Sequence, residues 1–197
     1  MTSAAEESRP ARIGAWLFRY RSFLPVPIVI IGLLVPGYQY VATWWIGAWF
    51  IVIGEGVRLA GVAAAGTVTR RRSRNVKELV TWGVFSMTRN PLYVGNFLIW
   101  IGFAEMSGVR WFTLAAAILF AIEYTFIVAY EEGVLESTFG EQYLAYKAKV
   151  ARWWPRFGAR YASGETHWRE AWWSERSTFM QYAALVILLI VKARFRF

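Results

Sequence analysis

Apolar runs separated by short polar or basic stretches set the organisation of this chain. A helix crossing a hydrocarbon layer about 30 Å thick needs about 20 mostly apolar residues, and four runs predict such helices, at 23–41, 43–65, 93–106 and 111–130. Pro25 and Pro27 stand near the start of the first, where a missing backbone N–H costs least. The uncharged turn Pro36-Gly37-Tyr38-Gln39 joins the first run to the second, and Ser107-Gly108 joins the third to the fourth, so the pattern predicts two helical hairpins. A fifth run, 179–191, is shorter and is followed by Lys192, Arg194 and Arg196. It reads equally as a crossing or as a helix docked at the interface, with Trp172 and Trp173 before it favouring membrane contact.

Charges inside the runs are few. Glu55 and Arg58 lie at i, i+3 and share a helix face, which predicts a pair that is either structural or lines a polar cavity. Glu105 and Glu123 read as structural acids. The first twenty residues lack the short apolar segment and small-residue cleavage site of a secretory signal, and the expectation is that none precedes the spans.

Composition supports the membrane reading. Apolar types make up 57% and charged types 18%, against about 45–50% and about 25% in soluble chains. The 12 Trp, 10 Tyr and 14 Phe suit the membrane–water boundary. Without cysteine there is no disulfide, zinc–thiolate site or thiol nucleophile. The single histidine, His167, reads as a polar loop residue, and no metal site is expected. The net charge of +9 calls for an anionic partner. Its carriers cluster beside apolar runs, at Arg9, Arg12, Arg19 and Arg21, at Arg70, Arg71, Arg72, Arg74 and Lys77, and again over 147–160. That placement points to anionic membrane lipids rather than nucleic acid, and it puts the N-terminus, 69–92 and 131–176 on the cytosolic side. The expected architecture is therefore an all-α, polytopic transmembrane helical bundle of four or five spans. Its parts are a cytosolic basic segment 1–22, a first hairpin 23–68, a catalytic part 69–176 containing the hairpin 93–130, and a C-terminal apolar helix 177–197.

Candidate chemistry collects at the inner ends of the third and fourth runs. Pro91 holds Asn90 out of helical dihedrals and opens the next helix, leaving backbone N–H groups free beside Arg89, an arrangement suited to an anion. Gly95, one turn in, allows a ligand or a second helix to approach closely. The fourth run ends at Glu131-Glu132, two acids whose mutual repulsion a cation would relieve, from a neighbouring arginine or from a ligand. Leu135, Phe139, Tyr143, Tyr146 and Val150 then form one amphipathic stripe, with Gly140 placed to kink or split its helix, before Arg152-Trp153-Trp154-Pro155-Arg156. An anion site and a cation site at one membrane depth permit a zwitterionic ligand with an extra positive charge, such as S-adenosylmethionine.

The series Arg89-Asn90-Pro91-Leu92-Tyr93-Val94-Gly95, then Glu131-Glu132, Leu135, Phe139-Gly140, Tyr143, Tyr146, Val150, Arg152 and Pro155, resembles the signature of the integral-membrane methyltransferases of the isoprenylcysteine carboxyl methyltransferase and phospholipid methyltransferase superfamily. The resemblance covers about 79–155 and implies S-adenosylmethionine in a pocket closed by the C-terminal helical segment on the cytosolic side. A lipophilic acceptor, whether a prenylcysteine-like carboxylate, a phospholipid amine or another small lipid, would enter from the bilayer. It implies Arg89, Asn90, Tyr93 and Gly95 at the cofactor from one side and Glu131 and Glu132 from the other, with Tyr143 and Tyr146 closing over it. The resemblance further implies Arg152 near the acceptor's headgroup, and Arg89, Glu132 and Arg152 as the catalytic set. Asn90 departs from the motif, which has histidine there; asparagine keeps a hydrogen bond but gives no base near neutral pH. Membrane sterol and steroid reductases, which bind NADPH in a similar C-terminal half, and a non-enzymatic lipid-binding protein are the alternatives. The paired acids favour a cationic cofactor over NADPH.

Overall fold

The computed structural model describes residues 9–66, 78–157 and 161–195. The basic cluster Arg70, Arg71, Arg72, Arg74 and Lys77 lies outside them. The regular elements of the described chain are helices, α1 (Arg9–Tyr20), α2 (Pro25–Leu34), α3 (Val41–Ala65), α4 (Pro91–Met106), α5 (Arg110–Phe139), α6 (Glu141–Lys149) and α7 (Trp168–Phe195), with a 3-10 turn at Gly83–Ser86. Extended pairing among these residues is limited to one isolated bridge between Trp82 and Ala162.

Three helices, α3, α5 and α7, are long and apolar enough to cross a membrane, and α1 with α2 makes a fourth candidate bent by 63° at its break. Their outward surfaces suit a hydrocarbon solvent. Trp45, Trp49 and Val52 on α3, Leu114, Ile118 and Ile122 on α5, and Met180, Ile187 and Ile190 on α7 are all exposed. In water such a surface would drive aggregation; in lipid it costs nothing.

With lipid outside, helix association rests on close packing rather than apolar burial. α3 and α4 meet antiparallel through facing glycines. A methyl group added at Gly54 or Gly95 would lie 2.7 or 2.5 Å from the other's carbonyl oxygen, and one at Gly47 or Gly102 would lie 2.5 or 2.6 Å from its counterpart's. Gly61 continues the seven-residue series against Leu92. Gly95 therefore serves the second of the two uses open to it, the approach of another helix.

Several expected boundaries move. The first apolar run is helical only over α2, because the chain turns extended after Leu34 and passes through Pro36 and Gly37, whose added Cβ would strike the backbone of Gly108. The segment 1–22 is not merely a basic tail but contains α1, which packs on α5 where Gly14 meets Phe126 and Tyr130. The third helix opens at Pro91 itself. α5 runs on through Glu131 and Glu132 to Phe139, and Gly140, at φ 50°, splits the striped segment rather than kinking it. The fifth run is the end of the much longer α7. His167 N donates to Ala63 O at one end of α3, 2.7 Å, and at the other end of α7 Lys192 Nζ donates to Gly32 O and Ser107 O, 2.7 and 2.9 Å. α7 thus runs from one end of the bundle to the other, and Lys192 is folded inward onto backbone carbonyls.

Candidate active site

At the end of the bundle marked by the start of α4 and the last turns of α5, two loops cross. Arg89 N donates to Ala151 O at 2.9 Å and Arg156 N to Met87 O at 3.1 Å. Thr88 Oγ1 and Asn90 Nδ2 both donate to Arg152 O, at 3.0 and 3.1 Å. Pro91 at the first helical position explains the geometry, since Asn90 is held at φ −126° and the polypeptide arrives from the side.

Beneath the crossing lies a buried ion network. Glu132, 3% exposed, accepts from Arg89 Nε and Nη2 at 3.0 and 2.9 Å, and from Arg152 Nε and Nη2 at 3.2 and 2.6 Å. Arg89 also donates to the carbonyls of Lys147 and Val150, so one guanidinium ties the start of α4 to the end of α5 and to the C-terminal end of α6. The orphan carbonyls of a helix end are satisfied by a cation, as the helix dipole favours.

Tyr143 and Tyr146 on α6 are buried with Leu79 and Val150, and Tyr146 Oη donates to Phe85 O at 2.7 Å. Burial raises both hydroxyls above the ordinary tyrosine value, with the charge of Glu132 adding to it at Tyr143. Both stay protonated donors at neutral pH. Glu131 faces differently from its neighbour. It pairs with Arg21, Nη1 to Oε1 3.3 Å, and the same Nη1 donates to Tyr93 Oη at 3.2 Å. Both side chains of this pair are more than a quarter exposed.

A cavity of about 2250 Å³ joins these groups. Arg89, Asn90, Tyr93, Glu131, Glu132, Tyr143 and Tyr146 line one end of it, and Gly95 and Arg152 do not. Arg152 reaches Glu132 from a more exposed position. From the polar end the cavity descends between α2 and α7 along Val26, Val29, Leu33, Leu185 and Leu188. Midway stands a polar group that sequence reasoning saw only in part. Arg58 does pair with Glu55, at 3.3 Å, but it also reaches Glu175 at 3.1 Å and Asn96, while Tyr182 Oη donates to Glu55 at 3.1 Å. Glu175 and Tyr182 are two turns apart on α7, a spacing that signals a shared face once the helix is known to begin at Trp168. Arg21 was also missed as a site residue, because it reads as one of a run of basic side chains.

The phospholipid methyltransferase family model matches residues 42–142. A nickel-cobalt-cadmium resistance protein (NccN) of Alcaligenes xylosoxydans xylosoxydans is 34% identical over 148 residues, 74% of this chain and 65% of that one. A protein-S-isoprenylcysteine O-methyltransferase (A) of Arabidopsis thaliana is 36% identical over 116 residues, 55% of this chain and 58% of that one. The chain thus spans less than two thirds of either. A cobalt-zinc-cadmium resistance protein (CzcN) of Cupriavidus metallidurans is 30% identical over 158 residues, 80% of this chain and 68% of that one. No solved structure matches. The family match covers the α3–α4 glycine contacts, both glutamates and the start of α6, and on that basis the chain is an integral membrane protein belonging to the phospholipid methyltransferase family.

Proposed function

We propose that this protein uses S-adenosylmethionine to methylate a lipophilic acceptor that reaches the cavity sideways from the bilayer, at the cytosolic face of a cytoplasmic membrane. The carrying observation is the continuity of one cavity from the motif residues to the apolar cleft between α2 and α7. At about 2250 Å³ it exceeds the roughly 300–1,000 Å³ of a pocket for one small molecule, which fits a donor and an acceptor together. The donor set fits as well: a partly exposed carboxylate at Glu131, the hydroxyl of Tyr93 and the side chain of Asn90 surround one end, with apolar Leu79 and Leu135 beside them.

S-adenosylmethionine supplies, when bound, a methyl group on a cationic sulfur. Everything else falls to the chain. Glu131 and Tyr93 would face the positive end of that molecule, and Asn90 would hydrogen-bond it. Glu132, Arg89 and Arg152 keep the two loops crossed, and Tyr143 and Tyr146 seal the wall behind them. Displacement at a sulfonium cancels charge when the acceptor is a carboxylate and passes it on to nitrogen when the acceptor is an amine. In neither case is new charge created, so positioning and exclusion of water would supply most of the acceleration. Arg152 stands over the loop crossing, where an acceptor's polar group would arrive. Arg19 and Arg21 around the end of α1, and Lys147, Lys149, Arg152 and Arg156 around the loop crossing, lie at this end of the bundle and support its cytosolic placement.

Calorimetry in detergent with S-adenosylhomocysteine and with NADPH tests the class. Binding of the former alone is expected; binding of NADPH alone supports the reductase reading, and binding of neither leaves the lipid-binding one. Transfer of labelled methyl into a total lipid extract then identifies the acceptor.

A further inference from the structure

Among the described residues, four arginines line the cavity, and they differ in how firmly they are held. Arg89 is committed to Glu132 and two helix-end carbonyls, and Arg58 to Glu55, Asn96 and Glu175. Arg21 makes contacts of 3.2 and 3.3 Å to Tyr93 and Glu131 from a side chain 26% exposed, and its guanidinium lies 4.0 Å from the Phe18 ring. It sits in the turn between α1 and α2, where the helix axis bends. Just before it, α1 exposes Ile13, Trp16 and Tyr20, and Phe23 follows, an aromatic-rich surface of the kind that settles at headgroup depth. Arg19, beside it, also lines the cavity. Arg21 is thus a loosely held cation beside an exposed aromatic surface suited to a headgroup layer, and both of its polar partners belong to the motif.

We propose that Arg21 is an anion-binding residue shared between Glu131 and a phosphate. It holds Glu131 and Tyr93 in the structure described here, and it turns to the phosphate group of an anionic ligand at the cavity mouth, releasing both motif residues for a cationic donor. The exchange is feasible because a partly exposed, single-contact ion pair is weak, whereas a phosphate accepts two parallel charge-assisted bonds from a guanidinium. Binding of the two ligands is then coupled, and the coupling is reciprocal: whatever factor the anion adds to donor affinity, the donor adds to anion affinity. This rests on the donor site proposed above and deepens it, because it assigns to a residue outside the matched family region the task of making Glu131 available.

The test uses the whole chain in neutral detergent and three probes, inorganic phosphate, dihexanoylphosphatidylglycerol and dihexanoylphosphatidylcholine, read by calorimetry without any donor. Wild type is expected to bind the phosphatidylglycerol, and R21Q to lose that binding at least tenfold while R21K retains part of it. Binding of inorganic phosphate with equal affinity would identify a free anion as the ligand; preference for phosphatidylglycerol identifies the lipid headgroup. Repeating the titration with S-adenosylhomocysteine should show about two- to fivefold tighter donor binding with the anion present, the range that releasing one partly exposed pair allows, and no such gain in R21Q. Anion binding that survives in R21Q, or a wild type indifferent to all three probes, overturns the proposal. Anion binding that depends on Arg21 in a protein that binds no S-adenosylhomocysteine overturns the donor reading instead. E131Q, which removes the carboxylate that competes for Arg21, is expected to bind the anion more tightly than wild type, and unchanged or weaker binding counts against the shared role.

Discussion

Glu131 and Glu132 are adjacent in the chain, yet substituting each by Gln is expected to have opposite consequences. Glu132 is 3% exposed and accepts four bonds from Arg89 and Arg152. Removing one partner of a buried pair leaves an uncompensated charge and costs about 3–5 kcal/mol. That figure belongs to Arg89, whose side chain is 9% exposed; Arg152, at 37%, contributes no more than the about 0–1 kcal/mol of a surface pair. Glu131 and Arg21 are both over a quarter exposed, so E131Q should cost only about 0–1 kcal/mol. At about 2–4 °C per kcal/mol for a chain of this size, E132Q should melt about 6–20 °C below wild type and E131Q within about 4 °C of it. Thermal unfolding in one detergent, followed by circular dichroism, measures both. Binding of S-adenosylhomocysteine should report the reverse for E131Q, a loss of about 1–3 kcal/mol from one charged hydrogen bond in a fully folded protein. If E132Q melts with wild type, the Arg89–Glu132–Arg152 network does not hold the loops, and the division of labour between the two acids is wrong.

The glycine contacts predict that Gly54→Val or Gly102→Val forces α3 and α4 apart. Either variant should fall by several kcal/mol in chemical or thermal unfolding, whereas Gly133→Ala, where an added Cβ meets nothing, should be silent. Lys192→Met deletes two donors to Gly32 and Ser107 at the far end of α7 and should cost about 1–3 kcal/mol, with amide exchange rising at the α4–α5 turn. Tyr143 and Tyr146 titrate above the ordinary tyrosine value of about 10 because burial favours the neutral phenol. Above that pH the unfolded chain loses protons that the folded one keeps, so stability is full below about pH 10 and falls as pH rises further. Melts from pH 8 to 11 should show that decline, and Tyr143→Phe with Tyr146→Phe should lessen it.

The parts of the fold legible in the sequence are those fixed by local chemistry. Ser107-Gly108 marked the α4–α5 turn because glycine at φ 73° closes it, and the run 43–65 predicted α3 to within two residues of its start. The motif halves were legible as a pair, although their contact depends on Arg89 reaching carbonyls at Lys147 and Val150 that no spacing rule announces. α1 was hidden because Arg12 and Arg19 within it, and Arg21 just after it, make an amphipathic helix look like a polar tail. α7 was shortened for a related reason. Its first ten residues carry charge that faces the cavity or the interface, so hydropathy registers only the part beyond Phe179. The reach of Arg58 to Glu175 could not be read at all, since it joins residues 117 positions apart through the packing of α7 on α3. The seven-residue register of Gly47, Gly54 and Gly61 is plain in the sequence, but glycine signals backbone freedom as readily as room for another helix.

Position 90 shows why so few titratable groups suffice. Where the family motif has histidine, Asn90 donates to Arg152 O beside Thr88, making the loop crossing itself part of the site wall. Two guanidiniums already converge on the single carboxylate of Glu132 a residue away. An imidazolium added there would be a third positive charge against one negative, in a region whose burial makes unpaired charge expensive. An amide keeps the hydrogen bond and stays neutral at every pH. With no base at that position, the proton balance of the proposed methyl transfer would have to be met by the acceptor, arriving with a lone pair already free, or by a carboxylate deeper in the cavity. Arg89, Arg152 and Glu132 are thus engaged in holding two loops and three helix ends in register, and under the proposed function what they would contribute to rate is the fixed distance between donor and acceptor.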